Sequence, residues 1–295
     1  MRYEGVVYRP PSEAGSLIIQ AALACPHNKC AFCAMYKGRK FRVRPLDEII
    51  EDLDMALRLY GPDGVQTIFL ADGNTAVLPT EKLVAIGEAG RARFPHLRRI
   101  TMYGSAKFLI KKSLEEWRRV AQAGITRIHS GLESGDADTL RAINKGVTPE
   151  QAIEAYRHLL SAGIELSVYV MVGVAGRERW REHALGSAHV LNAAPPSFIR
   201  LRTIVPQPGT PWYDRWTAGD LTLPSAYEAL QETRLLIEHL HGPATLLSDH
   251  VSNFLDVGGH IPEERPAMLA EIDEASRWPL KRFRPPTEFL VGLGL

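Results

Sequence analysis

Short apolar, β-branched runs alternate with longer amphipathic stretches along most of this sequence, and that alternation leaves few folds open. Strands are expected at residues 16–24, 66–71, 99–103, 125–131, 164–172 and 198–205. Helices are expected at 46–60, from Pro79-Thr80 onward, at 113–123, at 149–162 with Thr148 as N-cap, on to about Leu191, and at 223–239. Such strict alternation implies a parallel sheet with right-handed crossovers. The near-continuous apolar run 167–172 suits a strand covered on both faces. Six units make an α/β fold of the partial (β/α)6 TIM-like barrel kind, short of the eight that close a full barrel. Residues 1–241 are assigned to the barrel. Residues 242–295 are too few for a large core of their own and are expected to form a C-terminal cap. That cap, with a helix at 262–276 and the stretch Asp249-His250-Val251-Ser252-Asn253, is expected to pack over the barrel and help close a substrate cavity. Simple cover of an edge strand is the alternative.

Composition removes some function classes. No apolar run among the 295 residues reaches the ~18 needed for a membrane span, and the charged N-terminus lacks an apolar signal region. A cytoplasmic protein is expected. A net charge of +1 gives no general basis for nucleic-acid binding. The cysteines say more, because the three present, Cys25, Cys30 and Cys33, fall within nine positions and no fourth exists. An odd, tight cluster without an export signal points to a metal or redox site rather than to disulfides. It follows the first strand, and parallel α/β folds bind ligands at the carboxyl ends of their strands. Three thiolates on a four-iron cluster leave one iron open, as catalysis requires. The competing arrangement is a zinc site of the three cysteines plus His27. A closed structural zinc set rarely opens a six-unit α/β fold, and His27 is expected to be a neighbour of the site rather than a ligand.

The run Cys25-Pro26-His27-Asn28-Lys29-Cys30-Ala31-Phe32-Cys33 resembles the cysteine motif of the radical S-adenosylmethionine (SAM) superfamily. Four residues separate the first two cysteines here, where the commonest spacing in that family has three. The resemblance spans about residues 9–205 and points to the branch that includes coproporphyrinogen dehydrogenase, the Elongator subunit and the methylthiotransferases. It implies a 4Fe–4S cluster on Cys25, Cys30 and Cys33, with SAM on the open iron and Phe32 near the adenine. Asp72-Gly73-Asn74 falls where the family binds the SAM amino group, although the family's usual Glu is absent. An Asp-Gly turn capping the next helix is the plainer reading. Ser105 ends the third strand. Ser130-Gly131-Leu132-Glu133-Ser134-Gly135 ends the fourth and resembles the ribose- and methionine-binding region, with Ser130 and Glu133 as candidates. Gly173 opens the turn that flanks the adenine in the family. Arg200 and Arg202 share one face of the sixth strand. Arg202 would meet the SAM carboxylate or a substrate carboxylate, or pair structurally with Glu133.

By the same resemblance, the activity is reductive SAM cleavage to a 5′-deoxyadenosyl radical that abstracts hydrogen from a small-molecule substrate. The electron would come from a flavodoxin- or ferredoxin-type donor. Residues 37–44 carry five cations, Lys37, Arg39, Lys40, Arg42 and Arg44. They are either a solvated loop, a clamp for an anionic substrate, or the docking surface for an acidic donor. With every cysteine engaged, a second all-cysteine cluster is excluded, which argues against methylthio transfer and against methyl transfer through a cysteine. Only residues 1–15 precede the first strand, so no cobalamin-binding domain is expected, nor an acetyltransferase-sized extension after the barrel. The rival class is a non-catalytic zinc- or cluster-bearing sensor on the same barrel.

Overall fold

The computed structural model describes residues 1–283. Its main sheet has eight strands in chain order: β1 (Leu17–Gln20), β2 (Thr67–Ala71), β3 (Arg99–Tyr103), β4 (Ile125–Glu133), β5 (Glu165–Val172), β6 (Phe198–Thr203), β7 (Ala244–Leu247) and β8 (Gly258–Ile261). The longer helices are α1 (Leu46–Tyr60), α2 (Thr80–Arg93), α3 (Leu114–Gln122), α4 (Pro149–Ser161), α5 (Trp180–Ala193), α6 (Ala226–Glu238) and α7 (Arg265–Ala275). None of the described helices is long and apolar enough to cross a membrane. The chain divides into two compact units, one of residues 1–28, 36–130 and 155–166, the other of the remainder.

In the first unit β1, β2, β3 and β4 pair in parallel, as the alternation requires. Helix α1 buries Ile49, Asp52, Leu53 and Ala56, one stripe at helical spacing, and stops where Gly61 takes φ 71°. Helix α3 starts on a capping box between Ser113 and Glu116. A short antiparallel pair, Ala22–Leu23 with Arg42–Val43, ties the end of β1 to the basic segment. That segment is divided by burial. Arg44 is fully buried, with one guanidinium nitrogen 2.7 Å from Asp52 and donating at 2.9 Å to the Gln20 carbonyl, while Glu48 lies 3.1 Å away. Arg42 pairs with Glu4. Lys37, Arg39 and Lys40 remain on the surface. Arg44 is therefore not available for docking, because an unpaired Asp52 in that interior would be costly.

In the second unit β5, β6 and β7 run parallel, and β8 returns antiparallel to β7. β5 is buried almost end to end, as its apolar run predicts. Ala31, Leu140, Ile143, Val174, Ile204, Trp212 and Leu221 form a core cluster, with Phe32, Met171 and Leu223 packed against it. A capping box of Ser225 and Glu228 starts α6. Residues 242–283 do more than cover this unit, since they supply β7 and β8 to the sheet itself.

Candidate active site

Cys25, Cys30 and Cys33 are all half-buried. The backbone N–H of Cys33 donates to the Cys30 carbonyl at 3.3 Å, which makes a tight turn of the second half of the loop. That half is held by three further bonds. Ala31 N–H donates to Ile143 O (2.8 Å), Trp212 N–H to Ala31 O (3.0 Å) and the Asn144 amide to Lys29 O (3.2 Å). In the first half, the His27 ring nitrogen Nδ1 lies 2.9 Å from the Lys107 ammonium and accepts from it, which removes that nitrogen as a metal ligand. Among the described residues, no three His, Cys, Asp or Glu side chains are gathered at ligating distances. The fit of the cysteines to an iron–sulfur cluster rests on donor chemistry, three sulfurs from one nine-residue loop that follows β1.

Asp72, directly after β2, is buried and its oxygens are engaged. Tyr36 donates to it from its hydroxyl (2.8 Å), Gln20 from its amide and Ala24 from its backbone (3.3 Å each). Burial raises the Asp72 carboxyl above its usual range against the lowering effect of those bonds. Burial and the neighbouring Asp72 also raise the Tyr36 phenol. Ala24 sits at φ 60°, an uncommon place for alanine, so Asp72 fixes the backbone one residue before Cys25. Gly73 admits the Tyr36 ring, since a Cβ there would stand 2.5 Å from Cε2. Asn74 and Ser105 are brought together, the serine N–H donating to the Asn74 amide oxygen at 3.3 Å. That bond orients the amide, and its nitrogen is left buried with no partner among the described residues. Asn74 thus offers a donor. Ser130 is buried with its hydroxyl 3.0 Å from that of Tyr156.

Glu133 ends β4 at φ 65°, a strained conformation for a non-glycine residue. Its partner is the buried Lys145, 2.8 Å away, and not Arg202 or Arg200 as the pairing considered from sequence would have it. Lys145 also lies over the Phe32 ring, 5.7 Å from its centroid. Gly131 leaves room for this pair, because a Cβ there would overlap the Glu133 carboxylate. Gly173, at φ 81° after β5, packs against Pro224, and its N–H donates to Glu232 at 2.8 Å. Glu232 is in turn 3.2 Å from His183, whose other ring nitrogen is 2.8 Å from Ser134. Arg202 lies over the Tyr169 ring, 4.8 Å from its centroid, and Arg200 donates to Ser167 at 3.3 Å. Lys145, Tyr36 and Tyr169 were not foreseen, and His250 was named only within the 249–253 stretch of the expected cap. Lys145 carried a weak signal, since it stands between Asn144 and Gly146, two residues of positive φ that compose a tight turn.

The radical SAM superfamily model matches residues 20–185. The chain belongs to the radical SAM superfamily. Enzymes of that superfamily use a 4Fe–4S cluster and SAM. Its sequence is 26% identical over 174 residues to 4′-phospho-dehydrooxetanocin synthase of Priestia megaterium, covering 52% of this chain and 23% of that protein. Coproporphyrinogen III oxidase of Escherichia coli shares the fold, with a TM-score of 0.58 at 16% identity over 76% of this chain and 51% of the other. The radical SAM methyltransferase TsrM of Kitasatospora setae, solved with cobalamin and a [4Fe–4S] cluster, gives a TM-score of 0.56 at 17% identity over 71% of this chain and 38% of the other. The chain spans less than two thirds of the length of each of these relatives. What they share with it in structure is the partial barrel.

Proposed function

We propose that Cys25, Cys30 and Cys33 bind three irons of one 4Fe–4S cluster, with SAM on the fourth, and that the enzyme acts on a small substrate. Held by these cysteines and reduced by one electron, the cluster would supply that electron to SAM, giving methionine and a 5′-deoxyadenosyl radical able to abstract a substrate hydrogen. The observation that carries this reading is the three-cysteine loop after β1, inside the family match and with no fourth cysteine in the sequence.

The chain's own groups supply binding and orientation. The unpartnered Asn74 amide donates to a SAM oxygen, with Gly73 and Ser105 beside it. Asp72 positions the loop through Ala24. Phe32 lies against the adenine, Gly173 presents backbone to it, and Ser130 and Glu133 serve the ribose and methionine end. Lys145 holds the Glu133 carboxylate in place from 2.8 Å. A flavodoxin- or ferredoxin-type donor docks on the exposed Lys37, Arg39 and Lys40. A reducing compartment, the cytoplasm, suits such a site.

The test is anaerobic reconstitution followed by iron, sulfide and zinc analysis, Mössbauer spectroscopy, and chromatography of the products formed from SAM with dithionite. Four irons per chain, one of them spectroscopically distinct, and slow release of 5′-deoxyadenosine are expected. Stoichiometric zinc without iron would overturn the cluster assignment. SAM binding without deoxyadenosine would overturn cleavage.

A further inference from the structure

Arg202 makes no ion pair among the described residues, although it is half-buried at the end of β6. Glu133, the carboxylate that sequence offered it, belongs to Lys145. The guanidinium is nevertheless held in place by the Tyr169 ring beneath it. A half-buried guanidinium with no carboxylate partner leaves its charge open to an anion.

The second half of the arrangement comes from residues 242–283. The Asp249–Asn253 stretch is bolted to β6 on either side of Arg202. Asn253 donates to the Leu201 carbonyl (2.9 Å), Thr203 N–H donates to the Ser252 hydroxyl (3.2 Å), and the Thr203 hydroxyl donates to the Asn253 amide oxygen (3.1 Å). These bonds set His250. Its Nδ1 accepts from Ser252 N–H (3.2 Å) and from the Ser252 hydroxyl (2.8 Å), whose own lone pair is taken by Thr203. A ring that accepts at Nδ1 is the tautomer with its proton on Nε2, so Nε2 is a donor. Burial, with the charge of Arg202 adding to it, holds the imidazole neutral down to about 4.

We propose that Arg202 and His250 form a two-donor subsite for an oxyanion of the substrate, a carboxylate or a phosphate, distinct from the groups that hold SAM. The guanidinium supplies a charged fork and the His250 Nε2–H a directed second donor. This inference rests on the radical SAM reading and names the class of substrate it acts on, a small organic anion.

Sulfate is the probe, because it stays fully ionised over the working pH range. It is titrated calorimetrically into the anaerobic, cluster-loaded full chain saturated with SAM. Saturable binding is expected. R202Q should abolish it, R202K should retain part of it, and H250Q should weaken it at least fivefold, while SAM affinity changes less than twofold in all three. Acetate in a parallel titration distinguishes a carboxylate pocket from a phosphate-like one, and tighter binding of either supports the site. The inference is overturned if the wild type binds neither anion, or if H250Q and R202K bind like wild type. It is also overturned if SAM competes with sulfate and R202Q weakens SAM tenfold or more, since the arginine then holds the SAM carboxylate. These titrations need no turnover. Deoxyadenosine release without an anion site overturns only this inference, and an anion site without deoxyadenosine release supports it while overturning the proposed cleavage.

Discussion

Glu13 and Arg202 show two opposite treatments of a charge in one protein. Glu13, just before β1, is fully buried and saturated. It lies 2.5 Å from the Ser16 hydroxyl, 3.4 Å from Arg99, 3.5 Å from His129 and 3.8 Å from Arg127. Burial alone would raise its carboxyl, but the bonds from His129 and Ser16 and the charge of Arg99 outweigh it and hold it at about 2. Arg202, at the carboxyl end of β6, rests on an aromatic ring and has no carboxylate among the described residues. The first arrangement is complete without a ligand and the second is not. On the anion subsite proposed above, that difference separates a group that holds the fold from one that would take a ligand, and in parallel α/β proteins ligands bind at the carboxyl ends of the strands.

The sharpest break should come from the cysteine loop. Replacing Cys30 with Ala removes one sulfur of three, and deoxyadenosine release should fall below detection after reconstitution, with the melting temperature of the cluster-free chain almost unchanged. A variant that still cleaves SAM would mean that Cys30 is not a ligand.

Next in size is the saturated carboxylate. Glu13→Gln leaves Arg99, Arg127 and His129 facing a neutral group, and should cost about 3–5 kcal/mol of stability by the usual penalty for breaking a buried pair. SAM binding by the folded fraction should not change. Because the folded Glu13 carboxyl titrates at about 2 against an ordinary 4.5, its stabilisation is fully present above 4.5 and is lost as pH falls from there toward about 2. Asp136 behaves likewise, held at about 2 when its bonds to Arg179 and Thr139 overcome its burial. Acid denaturation of wild type and Glu13→Gln should therefore converge only as pH falls to about 2. Curves that stay parallel through that range would remove Glu13 from the account.

The Glu133–Lys145 pair lies between the two extremes, paired like Glu13 yet strained at a strand end. Lys145→Met should cost about 3 kcal/mol by leaving the carboxylate alone in the interior. Glu133→Gln keeps the shape and a hydrogen bond to Lys145, so it should lower SAM affinity more than it lowers stability. Equal SAM affinity with a lower melting temperature would make the pair structural.

Local signals account for what was legible in the sequence. Helix α1 and strand β3 occupy the expected residues, because the first has its buried stripe and Gly61 stop, and the second the strand-forming residues Ile100, Thr101 and Tyr103. Thr148 caps α4 as expected, its hydroxyl accepting from Gln151 N–H at 3.3 Å. β7 and β8 were not legible, since four residues are too few for a period-two pattern to stand out. Charge partners were harder still. Arg44 and Arg39 belong to one basic run, yet one turns inward to Asp52 and the other faces solvent. Sequence spacing carries no record of that choice, nor of Lys145 reaching Glu133 across twelve positions.

The smallest effect should come from the exposed remainder of that basic run. Lys37, Arg39 and Lys40 follow the cysteine loop and lie on the surface, so they can be inverted without opening the interior. Surface charges of this kind act on encounter rates and fade as salt shortens the Debye length. Arg39→Glu with Lys40→Glu should slow flavodoxin-driven deoxyadenosine formation several-fold at low salt, with the difference shrinking as ionic strength rises. Dithionite is a small reductant that needs no protein docking, and its rate should stay near that of wild type. Equal loss with both reductants would assign the segment to the substrate or to the cysteine loop. No change with either would make it solvated surface, with Arg44 set apart from it as the buried partner of Asp52.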